Sequence, residues 1–174
     1  GISVVRVSGP NVGAVANQVI GRLPRPRQVS LRPFAGSDGH QIDEGLVIYF
    51  PAPGSFTGED VLELHGHGGP VLVSEVLQSI LNAGARPAAP GEFSERAFLN
   101  GRLDLAQAEG IADLINSATV TAARSAMRSL KGEFSEKINS FNVVLADLRA
   151  YIEAAIDFPE EEIDFLTEGA VEAR

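Results

Sequence analysis

The chain has 174 residues, 44% of them hydrophobic, and a formal net charge of −9. This length and composition suffice for one domain, or one and a half, with a substantial core. No apolar run approaches the roughly 20 residues of a membrane helix, so no membrane association is expected. The sequence lacks cysteine, which excludes disulfides and thiolate zinc sites and is typical of a cytoplasmic protein.

Charge is distributed unevenly along the sequence. Residues 151–174 contain eight acids against one arginine, which indicates a solvated tail or a basic partner. Residues 1–37 contain no acid and five arginines, namely Arg6, Arg22, Arg25, Arg27 and Arg32. The net negative charge argues against a large nucleic-acid footprint, because phosphate binding needs clustered Lys and Arg. Direct contact of the last four of these arginines with RNA is therefore only a weaker hypothesis.

The first part of the chain alternates strand and helix patterns. The predicted elements are, in order, a β-branched strand over residues 2–8, a helix from Pro10 that ends at Gly21, a loop over 22–40, a strand over 46–50, a strand over 61–65, and a helix from Pro70 that ends at Gly84. The continuous apolar run LVIYF at 46–50 predicts a strand buried on both faces. This order predicts an α+β domain.

The second part of the chain is predicted to be helical. No strand pattern follows Ser94, and apolar residues recur at helical spacing from about residue 104 to 115 and again from about 121 to 155. Gly132 is expected to bend the second helix, and Pro159 to end it. We place the domain boundary near residue 118, which divides the chain into 1–118 and 119–174. Because helical bundles usually need four helices, we expect the chain to be a fragment of a larger protein or to pair with another chain.

The stretch from residue 50 to 70, FPAPGSFTGEDVLELHGHGGP, is the candidate site. Side chains alternate faces along a strand, so Leu62 and Leu64 share one face while Glu63 and His65 share the other. Glu63 has two interpretations. Its carboxylate could pair with a planar edge that offers two donors, such as a guanidinium or the amino-pyrimidine edge of a pterin. Alternatively, it forms a structural salt bridge to Arg6 or Arg96.

The other motifs do not support metal binding, phosphate binding or nucleophilic catalysis. His65 and His67 have the His-x-His spacing of some metal sites, but a site needs at least three ligands, so metal binding is not predicted. The glycines at 66–69 lack the lysine of a phosphate loop, and G-x-x-x-x-G-K-[ST] occurs nowhere in the sequence. No Ser/His/Asp or Cys/His arrangement is evident, and we assign no catalytic residue.

Three long motifs carry a family resemblance. FTGEDVLELHGHGGP at 56–70, PGEFSERAFLNGRLDLAQAE at 90–109 and YIEAAIDFPEEEIDFL at 151–166 closely resemble the MnmE (also TrmE) family of tRNA modification GTPases. The resemblance covers essentially the whole chain. It implies an N-terminal domain with a mixed sheet and packed helices, similar to folate-binding aminomethyltransferase modules. An incomplete all-α helical domain would follow it.

The resemblance also implies a function. Family members are homodimers that act with the flavoprotein MnmG (GidA) on the wobble uridine of certain tRNAs, with a reduced folate, 5-formyltetrahydrofolate or methylenetetrahydrofolate, as one-carbon donor. Their GTPase domain uses GTP, Mg²⁺ and K⁺, and its phosphate loop and the terminal Cys-x-Gly-Lys box are absent from this sequence. The fragment is therefore expected to bind folate and to mediate dimerisation.

Matched position by position, the family's folate-contacting residues fall on Arg6, Glu63 and Arg102. A carboxylate suits the N–H and amino donors of a pterin, and arginines suit its carbonyl or the anionic tail. The alternative function is a purely structural dimerisation and helical scaffold without a ligand. Convergence of the three side chains on one pocket would favour folate binding.

Overall fold

The computed structural model describes residues 1–157, and the contacts divide the chain into two units, Gly1–Asp104 and the part from Leu105 onward. The first unit contains, in order, β1 (Ile2–Ser8), α1 (Val12–Ile20), β2 (Ser30–Ala35), β3 (Gln41–Phe50), β4 (Val61–His67), α2 (Pro70–Asn82) and α3 (Glu92–Leu99). The described part of the second unit contains α4 (Leu105–Asn116), α5 (Val120–Leu130) and α6 (Glu133–Asp157). None of the described helices is both long and apolar enough to cross a bilayer.

The first unit is built on a four-stranded sheet in the order β1-β4-β3-β2. Each neighbouring pair of strands is antiparallel. The predicted α+β class is confirmed, and so is the helical character of the second unit. The sheet is antiparallel and not mixed as predicted, because all three strand pairs, β1–β4, β4–β3 and β3–β2, are antiparallel. A parallel bridge between Pro26 and Tyr49 lies outside the named strands.

Strand β2 lies inside residues 22–40, which the sequence predicts to be a loop. Its sequence is SLRPFA, and Pro33 lowers the strand signal. Proline is tolerated there because β2 is an edge strand, so an N–H on its open side is not needed by a neighbour. Strand β3 also begins earlier than predicted, at Gln41.

Helices α1 and α2 cover one face of the sheet, and the core lies between these helices and the sheet. The largest buried cluster contains Val12, Val15, Ala16, Val19, Ile20, Phe34, Val47, Tyr49, Leu62, Leu64, Val76 and Ile80. Within residues 46–50, Val47 and Tyr49 are buried whereas Leu46 is exposed. The prediction of burial on both faces was wrong here, because antiparallel sheets commonly leave one face open. We call the face opposite α1 and α2 the outer face.

The second unit begins with α4, which packs closely against α5. A Cβ atom on Gly110 would lie 3.0 Å from the backbone nitrogen of Leu130, a tight contact that glycine avoids. The sequence predicts a boundary near residue 118, whereas the contacts divide the chain after Asp104, because α4 packs with the helix that follows it. Gly132, at φ +89°, separates α5 from α6 instead of bending one helix. The predicted stop at Pro159 lies outside the described residues.

Candidate functional site

Arg6 and Glu63 form an ion pair on the outer face. They are directly opposite each other in the antiparallel register of β1 and β4. The Arg6 Nε and Nη2 atoms lie 2.8 Å and 2.7 Å from Oε1 of Glu63. The Glu63 side chain is 15% exposed and that of Arg6 is 42% exposed. The predicted alternation is confirmed for β4, since Leu62 and Leu64 are buried on the opposite face.

His65 contacts the other oxygen of the same carboxylate. Its Nε2 atom lies 3.1 Å from Oε2 of Glu63. His65 is two residues further along β4, so strand geometry alone places both side chains on the outer face. Both carboxylate oxygens of Glu63 are thus engaged, one by a guanidinium and one by an imidazole.

Two aromatic rings flank the Arg6 guanidinium. Its carbon lies 5.9 Å from the ring centre of Phe56 and 5.7 Å from that of Phe93. At such distances a guanidinium is attracted by the negative face of an aromatic ring. Phe56 belongs to the loop before β4 and Phe93 to α3, so three separate segments meet at Arg6.

A chain of ion pairs and hydrogen bonds fixes that loop and α3 against β1. Ser8 donates to Glu59 at 2.8 Å and lies 2.7 Å from the hydroxyl of Thr57, which is fully buried. The guanidinium of Arg96 then bridges two carboxylates, with Nη1 2.9 Å from Oε2 of Glu59 and Nη2 2.8 Å from Oε1 of Glu92. The salt bridge from Glu63 to Arg96 that the sequence left open is therefore not formed.

Glu92 is the centre of this network. It accepts hydrogen bonds from the guanidinium of Arg86, from the backbone N–H of Ala89 and from Arg96. These donors stabilise the carboxylate, with Arg86 the largest contribution, and lower the pKa of Glu92 to about 2. Glu92 is the first residue of α3, so these bonds anchor the start of the helix that carries Phe93.

Arg102 lies beside the loop of residues 51–60. Gly58 adopts φ +79°, and a Cβ atom there would be 3.2 Å from Cγ of Arg102 and 3.1 Å from Cβ of Asn100. The Asn100 side chain donates to the carbonyl of Thr57 at 2.7 Å, which ties the end of α3 to the same loop. The structure thus brings Arg6 and Glu63 into contact and places Arg102, which is exposed, along the loop that carries Phe56.

The glycine-rich stretch after Glu63 has a structural role. A Cβ on Gly66 would lie 2.6 Å from Oδ2 of Asp43, so glycine leaves room for that carboxylate. Asp43 accepts from the N–H of His67 at 2.8 Å and lies 2.8 Å from its Nδ1. Burial raises the pKa of Asp43, but the hydrogen bonds from His67 outweigh it and leave that pKa below its ordinary value.

The two histidines therefore contact different carboxylates. Among residues 1–157, no group of three or more His, Asp or Glu side chains is placed to hold a metal ion.

Arg27 is one of the four arginines considered for RNA contact. Its guanidinium donates to the carbonyl of Gly54 and lies 5.9 Å from the centre of the Phe50 ring.

A cavity of about 240 Å³ opens beside β1. Apolar side chains of β1 and α2 form much of its wall, and Arg6, Phe93 and the ion pairs of Glu92 line one side.

The sequence did not single out Phe56 or Phe93 as site residues. Each lies within one of the three family motifs, and only the fold shows that both rings meet Arg6.

The site thus belongs to an α+β unit in which a cross-strand Arg–Glu pair is flanked by a loop and a helix, with a helical unit following in the chain. Comparison with known proteins gives the family. Residues 1–102 match the family model described as the GTP-binding protein TrmE N-terminus, and residues 105–174 match the MnmE helical domain. The chain belongs to the MnmE (TrmE) family.

Similar proteins are named tRNA modification GTPase MnmE. The one from Stutzerimonas stutzeri (strain A1501) is 59% identical over 174 residues, which is 100% of this chain and 38% of the relative. The one from Coxiella burnetii (strain Dugway 5J108-111) is 61% identical over 168 residues, 97% of this chain and 37% of the relative. The one from Pseudomonas syringae pv. tomato is 58% identical over 171 residues, 98% of this chain and 38% of the relative. The chain thus spans well under half the length of these relatives.

Proposed function

We propose that the first unit binds a reduced folate, 5-formyltetrahydrofolate or methylenetetrahydrofolate, through Arg6, Glu63 and Arg102. The observation that carries the proposal is the Glu63 carboxylate, which is paired with Arg6 on the outer face. The rings of Phe56 and Phe93 flank the Arg6 guanidinium. A partly shielded carboxylate is a strong acceptor for the adjacent N–H and amino donors of a pterin. The rings supply apolar surface for a flat heterocycle.

Arg6 has to shift when such a ligand binds. It places two N–H groups on Oε1 of Glu63, so this oxygen has little capacity left for a pterin. Once released, the guanidinium can bond to the ligand's carbonyl or to its anionic tail. Arg102, exposed along the neighbouring loop, is available for the same tail. The cavity of about 240 Å³ beside Arg6 is smaller than the roughly 300–1,000 Å³ of drug-sized ligand pockets. Arg6 lines it, but Glu63 and Arg102 do not, so a ligand held by all three residues would lie largely outside this cavity.

The test is a calorimetric titration of the purified chain with 5-formyltetrahydrofolate. We expect Glu63→Gln to weaken binding at least about ten-fold, or about 1.4 kcal/mol, because an amide presents one acceptor where the carboxylate presents two. Glu44→Gln is the matched control, since it removes the same charge from an exposed position on β3 and should bind like the parent.

The alternative, a scaffold without a ligand, predicts no heat of binding for any of the three proteins. A parent that binds while Glu63→Gln binds equally well would remove Glu63 from the site.

We also infer that the outer face associates with a second copy of the chain. The register aligns Leu31, Leu46, His65 and Val4 in one row across all four strands, and we call these four residues the outer row. Leu31 is 61% exposed, Val4 52% and Leu46 46%. Exposed aliphatic residues in a continuous row are typical of an association surface. A two-fold dimer is the simplest way to cover such a row, because the same surface serves both subunits.

For the whole protein we propose the activity in its relatives' name, tRNA modification GTPase. GTP, Mg²⁺ and K⁺ would bind in the portion of the relatives that this chain does not match. The flavoprotein MnmG would be the partner, tRNA the substrate of the joint complex, and the cytoplasm the location. In this scheme the first unit supplies the one-carbon donor. The folate titration tests that contribution separately from GTP hydrolysis.

A further inference from the structure

The two oxygens of the Glu63 carboxylate are held differently. Oε1 accepts both of its hydrogen bonds from one side chain, Arg6. Oε2 lies 3.1 Å from Nε2 of His65. Since a carboxylate offers about four acceptor positions in all, His65 leaves Oε2 with a position open, whereas Arg6 fills Oε1.

This asymmetry matters when a ligand with two adjacent donors approaches. Such a ligand needs one position on each oxygen, so it competes with Arg6 on Oε1 and not with His65 on Oε2. After Arg6 moves, the contact from His65 still fixes the plane of the carboxylate. Without it, the side chain of Glu63 would rotate about its terminal torsion, which is broad.

The neighbours of His65 in the sheet are apolar. In the sheet register His65 is opposite Val4 on one side and Leu46 on the other. Neither neighbour offers a hydrogen bond from its side chain, and the His65 side chain is only 28% exposed. Glu63 Oε2 is the partner that the structure gives to Nε2.

We propose that His65 is a positioning residue of the ligand site, which holds the Glu63 carboxylate in the orientation that accepts two donors of a flat heterocycle. The inference rests on the folate binding proposed above. It assigns His65 no direct contact with the ligand.

The experiment compares four proteins by titration with 5-formyltetrahydrofolate: the parent, His65→Gln, His65→Leu and His67→Ala. Glutamine keeps an N–H donor at this position, and leucine keeps apolar bulk without a donor. We expect His65→Leu to weaken binding about five- to ten-fold, which lies within the range for one lost hydrogen bond. His65→Gln should stay within about two-fold of the parent.

His67→Ala is the matched control. It removes the neighbouring histidine, which contacts Asp43 instead of Glu63, and should leave the affinity unchanged. Thermal unfolding of each variant shows whether the sheet is intact.

The outcomes separate the two proposals. A parent that does not bind overturns the proposed function and this inference with it. A parent that binds, with His65→Leu equal to it, overturns the positioning role alone. Weak binding by His65→Gln together with normal binding by His65→Leu would mean that His65 acts by packing, and would likewise refute the proposal.

Discussion

Gly45 lies where no larger side chain fits. A Cβ atom at this position would be 2.2 Å from the carbonyl oxygen of His65 and 2.8 Å from the ring of Phe34. Backbone atoms of a central strand cannot retreat without breaking the β3–β4 register that places Ile48 opposite Glu63. Glycine at this position therefore supports the register on which the candidate site depends.

We expect Gly45→Ala to destabilise the first unit by about 1–3 kcal/mol, the usual range for overpacking. Gly13→Ala is the control, because a Cβ there meets nothing within 4 Å and the residue belongs to helix α1. Alanine in a helix should be neutral or slightly stabilising. Urea unfolding of both variants checks this, and equal midpoints for the two would contradict the steric argument.

At the scale of elements, the site depends on how α3 and the loop of residues 51–60 are tied to β1. The charged ties run through Arg96, whose guanidinium bridges Glu59 and Glu92, and Asn100 adds a hydrogen bond to Thr57. Apolar packing contributes less here, since in α3 only Glu92 and Ala97 are buried. The position of Phe93 beside Arg6 is consequently sensitive to the charge on Glu92.

This dependence predicts a pH effect on stability. The pKa of Glu92 is about 2 in the folded chain and 4.5 ordinarily. Because the folded value is the lower one, the carboxylate stabilises the fold fully above pH 4.5, and this stabilisation is lost as pH falls toward 2. We expect Glu92→Gln to be less stable than the parent at pH 7 and to approach it between pH 4.5 and 2.

Denaturant unfolding at several pH values between 2 and 7 measures this difference in stability. Glu95→Gln is the matched control on the same helix, since Glu95 is exposed and should show little change. A gap between Glu92→Gln and the parent that stays constant down to pH 2 would show that the carboxylate does not carry the effect.

The same elements show how far a sequence can predict this fold. Side-chain alternation is local, so the two faces of β4 followed directly from the order of residues. Strand β2 was missed because its proline contradicts strand propensity, and only its edge position makes that proline acceptable. The contacts of Phe56 and Phe93 with Arg6 depend on loop geometry between distant segments, which no local pattern encodes. The Arg6–Glu63 pairing likewise needed the β1–β4 register, although one of the two interpretations of Glu63 named Arg6 as the partner.

At the scale of the whole molecule, the outer row predicts self-association. Leu46→Glu puts a charge in the middle of the row, where burial against a second copy would leave it unpaired. We expect the parent to sediment as a dimer at micromolar concentrations and Leu46→Glu as a monomer. Val71→Glu is the control, since Val71 is equally apolar and 71% exposed but belongs to α2, on the opposite face. A monomeric parent, or a Leu46→Glu variant that still dimerises, would refute the association.

His65 belongs both to the outer row and to the contacts of Glu63. Under the two proposals, one side chain is shared between a subunit contact and a ligand site, so the two equilibria are thermodynamically linked. Whatever free energy the associated form adds to ligand binding, the ligand adds equally to association. The measured ligand affinity then depends on protein concentration, and a dilute sample would report the affinity of the separate chain.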